Sequence, residues 1–167
     1  MKIKNIAARE ILDSRGNPTV SCVIMLESGE RATAGVPSGA SVGRYEAVEL
    51  RDGDTSRYCG KGVLQAILHI ENVIAPALVG KTPDVRVADT IMNELDGTSN
   101  KSKLGANAIL AVSMAVVRAQ AIVSGKLLYE LIQEISGTTV PGMPSAMFNV
   151  LNGGAHADNG MEFQEFM

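Results

Sequence analysis

The sequence has no tryptophan, three tyrosines, three phenylalanines, two cysteines and two histidines in 167 residues. Each scarcity excludes something. Aromatic residues make up 4% of the chain, so platforms on which nucleic-acid bases stack are not expected. Lys+Arg 15 against Asp+Glu 18 leaves a net charge of -3 with no block of one sign, so the electrostatic footprint of a nucleic-acid binder is missing. Cys22 and Cys59 form no Cys-x-x-Cys and lie at no zinc spacing from a histidine. They read as ordinary free thiols of a reducing compartment. The first ten residues carry Lys2, Lys4, Arg9 and Glu10 with no apolar run between them, so no secretory signal is visible. The longest apolar stretch, residues 106–117, is interrupted by Asn107 and Ser113 and closed by Arg118. It reads as too short to span a bilayer. No G-x-G-x-x-G occurs, and Gly80-Lys81-Thr82 has Ala75 where a phosphate-binding loop needs glycine. The expectation is a cytoplasmic protein with no nucleic-acid partner and no transmembrane segment. A complete β/α barrel takes about 250 residues, more than this chain has.

What is present is globular: 46% hydrophobic and 20% charged. The first third predicts strands over 3–12, 19–26 and 31–36, separated by the turn-rich residues 13–18 and by Ser28-Gly29. Together they predict a three-stranded antiparallel meander, which needs helices over one face. Val63, Ile67, Ile70 and Ile74 recur at helical spacing and predict an amphipathic helix ending near Pro76 or Gly80. A second helix is predicted over 85–95, with Asp84 as its N-cap and Gly97 beyond its end. Residues 106–124 predict a buried central helix with Gly125 as its C-cap, and 127–135 a short fourth. Val140-Pro141-Gly142-Met143-Pro144 reads as a linker. After it come two apolar runs, 146–151 and 163–167, around Asn152-Gly153-Gly154. The fold class is therefore α+β, a cap domain over 1–140, followed over 141–167 by a linker and the first strands of a barrel that is not completed.

Four places could carry chemistry. His69 sits in a predicted helix without a ligand partner and reads as a surface or packing residue. His156 follows Asn152-Gly153-Gly154-Ala155 and precedes Asp158, Asn159 and Gly160. On such a loop a histidine can close over a ligand and titrate near neutral pH; the plain rival is a solvated loop residue. Ser38-Gly39-Ala40-Ser41 offers hydroxyls and open amides that suit an anion or a hard metal, or simply connects two elements. In the run holding Gln164 and Glu165, strand alternation turns one of the two inward.

The blocks Asp13-Ser14-Arg15-Gly16-Asn17-Pro18-Thr19-Val20, Val36-Pro37-Ser38-Gly39-Ala40-Ser41, Glu49-Leu50-Arg51-Asp52-Gly53-Asp54, Gly60-Lys61-Gly62-Val63, Asn100-Lys101-Ser102-Lys103-Leu104-Gly105-Ala106-Asn107 and Gln164-Glu165-Phe166-Met167 resemble enolase, the glycolytic family that converts 2-phospho-D-glycerate to phosphoenolpyruvate and water. The likeness leans to the bacterial branch. It implies a lyase using two Mg²⁺ per site, homodimeric in its full-length form. Ser41 would give oxygen to the second Mg²⁺. His156 would approach the substrate phosphate, with Gln164 and Glu165 around its carboxylate and leaving hydroxyl, and His156 and Glu165 are the catalytic candidates. Gly39, Gly43, Gly153 and Gly154 would hinge the closing loops. The main metal carboxylates and the lysine base would come from later barrel strands, so this chain would supply lid and floor and be inactive alone. Val42 stands where the family often has Thr, and Ser21 where it usually has a Glu that pairs with a partner subunit. Ser145-Ala146 lacks a second proline. The alternative is a naturally short, non-catalytic relative acting as a binding or scaffold protein, with the surface-associated side roles known in the family.

Overall fold

The computed structural model describes residues 1–39, 42–139 and 142–167. Three antiparallel strands, β1 (Ile3–Leu12), β2 (Pro18–Leu26) and β3 (Arg31–Gly35), form one sheet in the order β1-β2-β3. The register is that of two tight connections: Glu10 pairs with Val20, and Cys22 lies between Ala8 and Ala34. Pro18 opens β2, the position where a missing N–H costs the ladder least.

Alternation sends Val20, Cys22, Ile24 and Leu26 to one face, all fully buried. That face meets α4 (Ala106–Ser124), whose Ala108, Ala111, Ala115 and Ala119 are all 0% exposed. Four alanines one turn apart let helix and sheet approach closely. Helix α4 is apolar on its other sides because α3 (Val85–Asp96) and α5 (Leu128–Ser136) also pack on it. Its bounds, 106–124 with Gly125 as C-cap, are those the sequence predicts. The apolar stretch was expected to be too short for a bilayer, yet the helix continues past Arg118 to Ser124 and is long and apolar enough to cross one by length and composition. Its neighbours identify it instead as the core helix.

The amphipathic segment is interrupted. Helix α1 (Leu64–His69) runs into a π-helical stretch, Ile70–Ile74, and then α2 (Ala75–Leu78). Pro76 supplies the reason: it has no N–H to return to residue 72, and its ring crowds that carbonyl. A widened turn just upstream absorbs the misfit. The helical segment ends at Leu78, between the two stops predicted at Pro76 and Gly80. Asp84 caps α3 through the backbone N–H groups of Arg86 and Val87, and Gly97 and Gly125 close α3 and α4 in left-handed conformation.

The last segment is sparser than expected. Of the apolar runs 146–151 and 163–167, only β4 (Leu151–Asn152) and β5 (Glu165–Phe166) are strands, and they pair with each other antiparallel. No closed barrel exists among the described residues. The linker predicted around Val140 and Pro141 falls partly outside them. Ser21 is 3% exposed on the central strand, between Arg9 and Gly35. A residue read as standing at a subunit contact is thus already covered within the single chain.

Candidate functional site

The β1–β2 connection is organised by one side chain. The Asp13 carboxylate accepts from the backbone N–H groups of Arg15 (2.8 Å) and Asn17 (2.9 Å). The Asn17 N–H is the main cause holding the Asp13 carboxyl below its ordinary value, with Arg15 contributing its N–H and its charge. This turn presents Arg15 and Asn17 at the edge of the sheet.

Arg51 ties that edge to two other loops. Its guanidinium donates to the carbonyls of Pro18 (2.5 Å) and Lys61 (2.7 Å), to Ser38 Oγ (3.2 Å) and to Glu49 Oε1 (2.8 Å). Ser38 Oγ in turn donates to the same Glu49 oxygen at 2.7 Å. The stem of the 36–39 loop is therefore anchored from behind by an arginine fork, the geometry for which a lysine has no substitute. Beside it, Asp52 accepts from the N–H groups of Leu64 and Gln65 and caps α1 from outside. Asn107, 3% exposed, bonds both the N–H and the C=O of Leu50. Asp96, 2% exposed, receives Thr98 and the N–H of Leu104. Its burial opposes ionisation, but these hydrogen bonds outweigh it and hold the carboxyl below its ordinary value. Several residues of the blocks that carry the family resemblance are thus scaffold.

Opposite this edge lies the loop between β4 and β5. Backbone bonds Gly153 N–H to Gln164 O (3.0 Å) and Gly154 N–H to Met161 O (2.8 Å) fold it back on itself. A Cβ on Gly153 would lie 2.4 Å from Phe163 O, so only glycine fits there. Gly154 has φ +54, the left-handed region. The first is required by close approach and the second by its turn; neither observation is about hinging. Gly43 donates its N–H to Glu46 at 2.8 Å, and Gly39 borders the cleft described next.

On that loop His156, Gln164 and Glu165 come together. His156 Nδ1 lies 2.9 Å from Glu165 Oε1, and its Nε2 lies 3.0 Å from Gln164 Nε2. Both ring nitrogens are thus engaged, Nδ1 by the Glu165 carboxylate and Nε2 by the Gln164 amide. Both members of the Gln164-Glu165 pair reach the histidine, where alternation predicted a single inward side chain. The chain bends before β5, so strict alternation does not apply to Gln164. His69 holds the Leu104 carbonyl at 3.0 Å through Nδ1, the packing role of the two expected of it. Ser41 lies outside the described residues.

A cleft of about 470 Å³ separates the two sides. Arg15, Asn17, Gly39 and Lys61 line it from the cap; Asn149, Asn152, His156 and Glu165 line it from the β4–β5 loop. Arg15 and Lys61 were not singled out by the sequence. Both sat in segments dense in turn residues, which masked their charge.

Residues 3–132 match the family "Enolase, N-terminal domain", and residues 140–167 match "Enolase, C-terminal TIM barrel domain". The chain belongs to the enolase family. Its α+β cap, three strands and four helical segments, is the enolase N-terminal domain, and its last segment carries enolase barrel sequence. Membership implies a metal cofactor in general and a lyase ancestry. Among the described residues, however, no three His, Cys, Asp or Glu side chains gather into a metal site. The one acidic group of the cleft, Glu165, is engaged by His156. The described residues of this enolase chain do not by themselves fit a metal.

Proposed function

We propose that this chain supplies the lid and part of the substrate floor of a phosphopyruvate hydratase, the carbon–oxygen lyase that takes 2-phospho-D-glycerate to phosphoenolpyruvate and water. The observation that carries the reading is the His156–Gln164–Glu165 contact at the mouth of a polar cleft. His156 has a ring nitrogen within reach of the cleft and faces the substrate phosphate in this reading. Gln164 and Glu165 take the carboxylate and the leaving hydroxyl, exchanging their bonds to the imidazole for bonds to substrate. Ser41 and the glycines Gly39, Gly43, Gly153 and Gly154 belong to the loops that close over it. The metal of the reading is Mg²⁺, two per site. Its octahedral oxygen shell is not met by the described residues. The 167-residue chain therefore binds but does not turn over, because orientation accelerates only where a reactive centre exists to orient. Dimerisation in the full-length enzyme and a cytoplasmic setting complete the reading.

The chain has two histidines, and this makes the test direct. Titration with 2-phosphoglycerate should shift the imidazole resonances of His156 and leave those of His69, bonded to Leu104, in place. His156→Ala and Glu165→Gln should each weaken the ligand-induced changes seen at neighbouring backbone amides. Phosphoenolpyruvate formation should stay at the buffer rate. Turnover by the isolated chain that His156→Ala abolishes would show the catalytic machinery to be misassigned.

A further inference from the structure

We propose that Arg15 and Lys61 form an anion-holding wall on the cap side of the cleft and take the phosphate of the ligand across from His156. The inference rests on the functional reading above and adds two residues of another part of the fold to the site.

Four observations converge. First, both cations line the same 470 Å³ cleft as His156 and Glu165, a volume suited to a small phosphorylated acid. Second, neither side chain makes a close ion pair with a carboxylate among the described residues, the Asp13 carboxylate acting on Arg15 only at longer range. Lys61 Nζ donates to the neutral Asn17 Oδ1 at 3.1 Å, and Arg15 Nη1 reaches only the Ser38 carbonyl at 3.5 Å. Third, the facing wall carries one acid, Glu165, and it is already held by His156. The cleft is cationic on balance, and a polar cleft with one sign of charge concentrates the opposite ion. Fourth, the wall is built. Asp13 fixes the turn that presents Arg15, and Arg51 grips the Lys61 carbonyl while also holding Ser38 and Pro18. A phosphate offers several acceptor oxygens and at least one full negative charge, which an arginine fork and a lysine ammonium satisfy together.

The probe is 2-phosphoglycerate, followed by chemical shifts of the wild-type chain, with glycerate and inorganic phosphate as separate arms. Arg15→Gln and Lys61→Gln remove charge at nearly constant size from exposed positions, so folding is preserved and the backbone spectrum verifies it. Each should weaken 2-phosphoglycerate by about three- to tenfold, the range between an exposed ion pair and a charge-assisted hydrogen bond. The double variant should lose more and show a flatter dependence on salt. Inorganic phosphate should perturb the Arg15 and Lys61 region and glycerate should not. Arg118→Gln, on α4 away from the cleft, makes the same change in net charge and should leave binding intact. Equal binding by wild type and double variant, with His156 still responding, overturns the wall and leaves the functional reading standing. Equal losses in Arg118→Gln reduce the effect to net charge and overturn it as well. No response of His156 to 2-phosphoglycerate overturns both.

Discussion

The cap and the final segment are built from similar residues and end in opposite states. In the cap, Ile24, Leu26, Ile70, Ile74 and Met92 are fully buried. In residues 142–167 the large apolar side chains lie outside: Met143 is 96% exposed, Met147 80%, Phe148 73%, Val150 76% and Phe163 68%. Within that segment Gly153 is the one residue that is fully buried. Hydrophobicity alone does not make a core. The cap has a helix to lay over its sheet; the final segment has a two-residue ladder and one edge-to-face pair, Phe163 and Phe166, at 5.5 Å. A two-stranded ladder is marginal in water.

The largest expected consequence is in local stability. Residues held by few buried contacts open at little cost, whereas core strands open only with the whole domain. Limited chymotrypsin digestion should cut at Phe148 and Phe163 before any site in the strands and helices of the cap, by about two orders of magnitude in rate, Tyr45, 94% exposed in the irregular stretch after β3, being the exception. The surviving product should begin at the native N-terminus and end near the linker around Pro141. Equal resistance of both regions would erase the contrast and with it a domain boundary near residue 140.

Next in size is core truncation. Ile24→Ala removes a side chain with 0% exposure facing α4 and should destabilise the cap by about 2–5 kcal/mol in urea unfolding. Phe148→Ala, at 73% exposure, should change it by under about 0.5 kcal/mol. A comparable loss from the second would mean that the final segment packs on the cap more fully than its exposure states.

Polar anchoring follows. Asp96→Asn leaves an N–H of Thr98 or Leu104 facing an amide donor in a buried site, a cost of about 1–3 kcal/mol. The pH dependence has a definite sign. Because folding lowers the Asp96 value, its contribution is complete above the ordinary aspartate range near 4 and fades as pH falls through the folded value. Acid should therefore narrow the stability gap between wild type and Asp96→Asn. A gap that widens on acidification would reverse the assignment.

The sequence made the cap legible because periodicity and punctuation agreed there. Strand alternation around Val20–Leu26, the alanine ladder of α4, and the stops at Gly97 and Gly125 all point one way. Where long-range partners decide, it was not legible. Nothing local says that Arg51 will grip Pro18, Ser38 and Lys61 at once, or that Asn107 will pair with Leu50, 57 residues away in sequence. The π-helical stretch before Pro76 is a compromise between a proline and a buried apolar face, and periodicity is blind to it. His156, Gln164 and Glu165 were visible as residue types, but their mutual contact depends on the fold-back of the β4–β5 loop, in which only glycine at 153 allows the close approach to Phe163. Arg15 and Lys61 meet across a turn and a loop and reach the cleft only through tertiary folding.

The smallest effect concerns the two free thiols, Cys22 and Cys59. Cys22 is 0% exposed in the central strand, and burial pushes its thiol up to about 12. The nucleophile in thiol chemistry is the thiolate, so near neutral pH Cys22 is both hidden and protonated. Cys59 is exposed in the short turn Tyr58–Gly60. An aromatic disulfide reagent should therefore label Cys59 promptly, and Cys22 only at the rate at which the cap unfolds. A Phe163→Cys variant places a reporter thiol in the final segment and should react as fast as Cys59. Ile24→Ala, which weakens the cap, should accelerate Cys22 and leave that reporter thiol unchanged. If Cys22 instead reacts as fast as Cys59 in the unaltered chain, β2 opens locally without the rest of the domain. The division between a cooperative cap and an independent final segment would then have to be redrawn inside the cap itself.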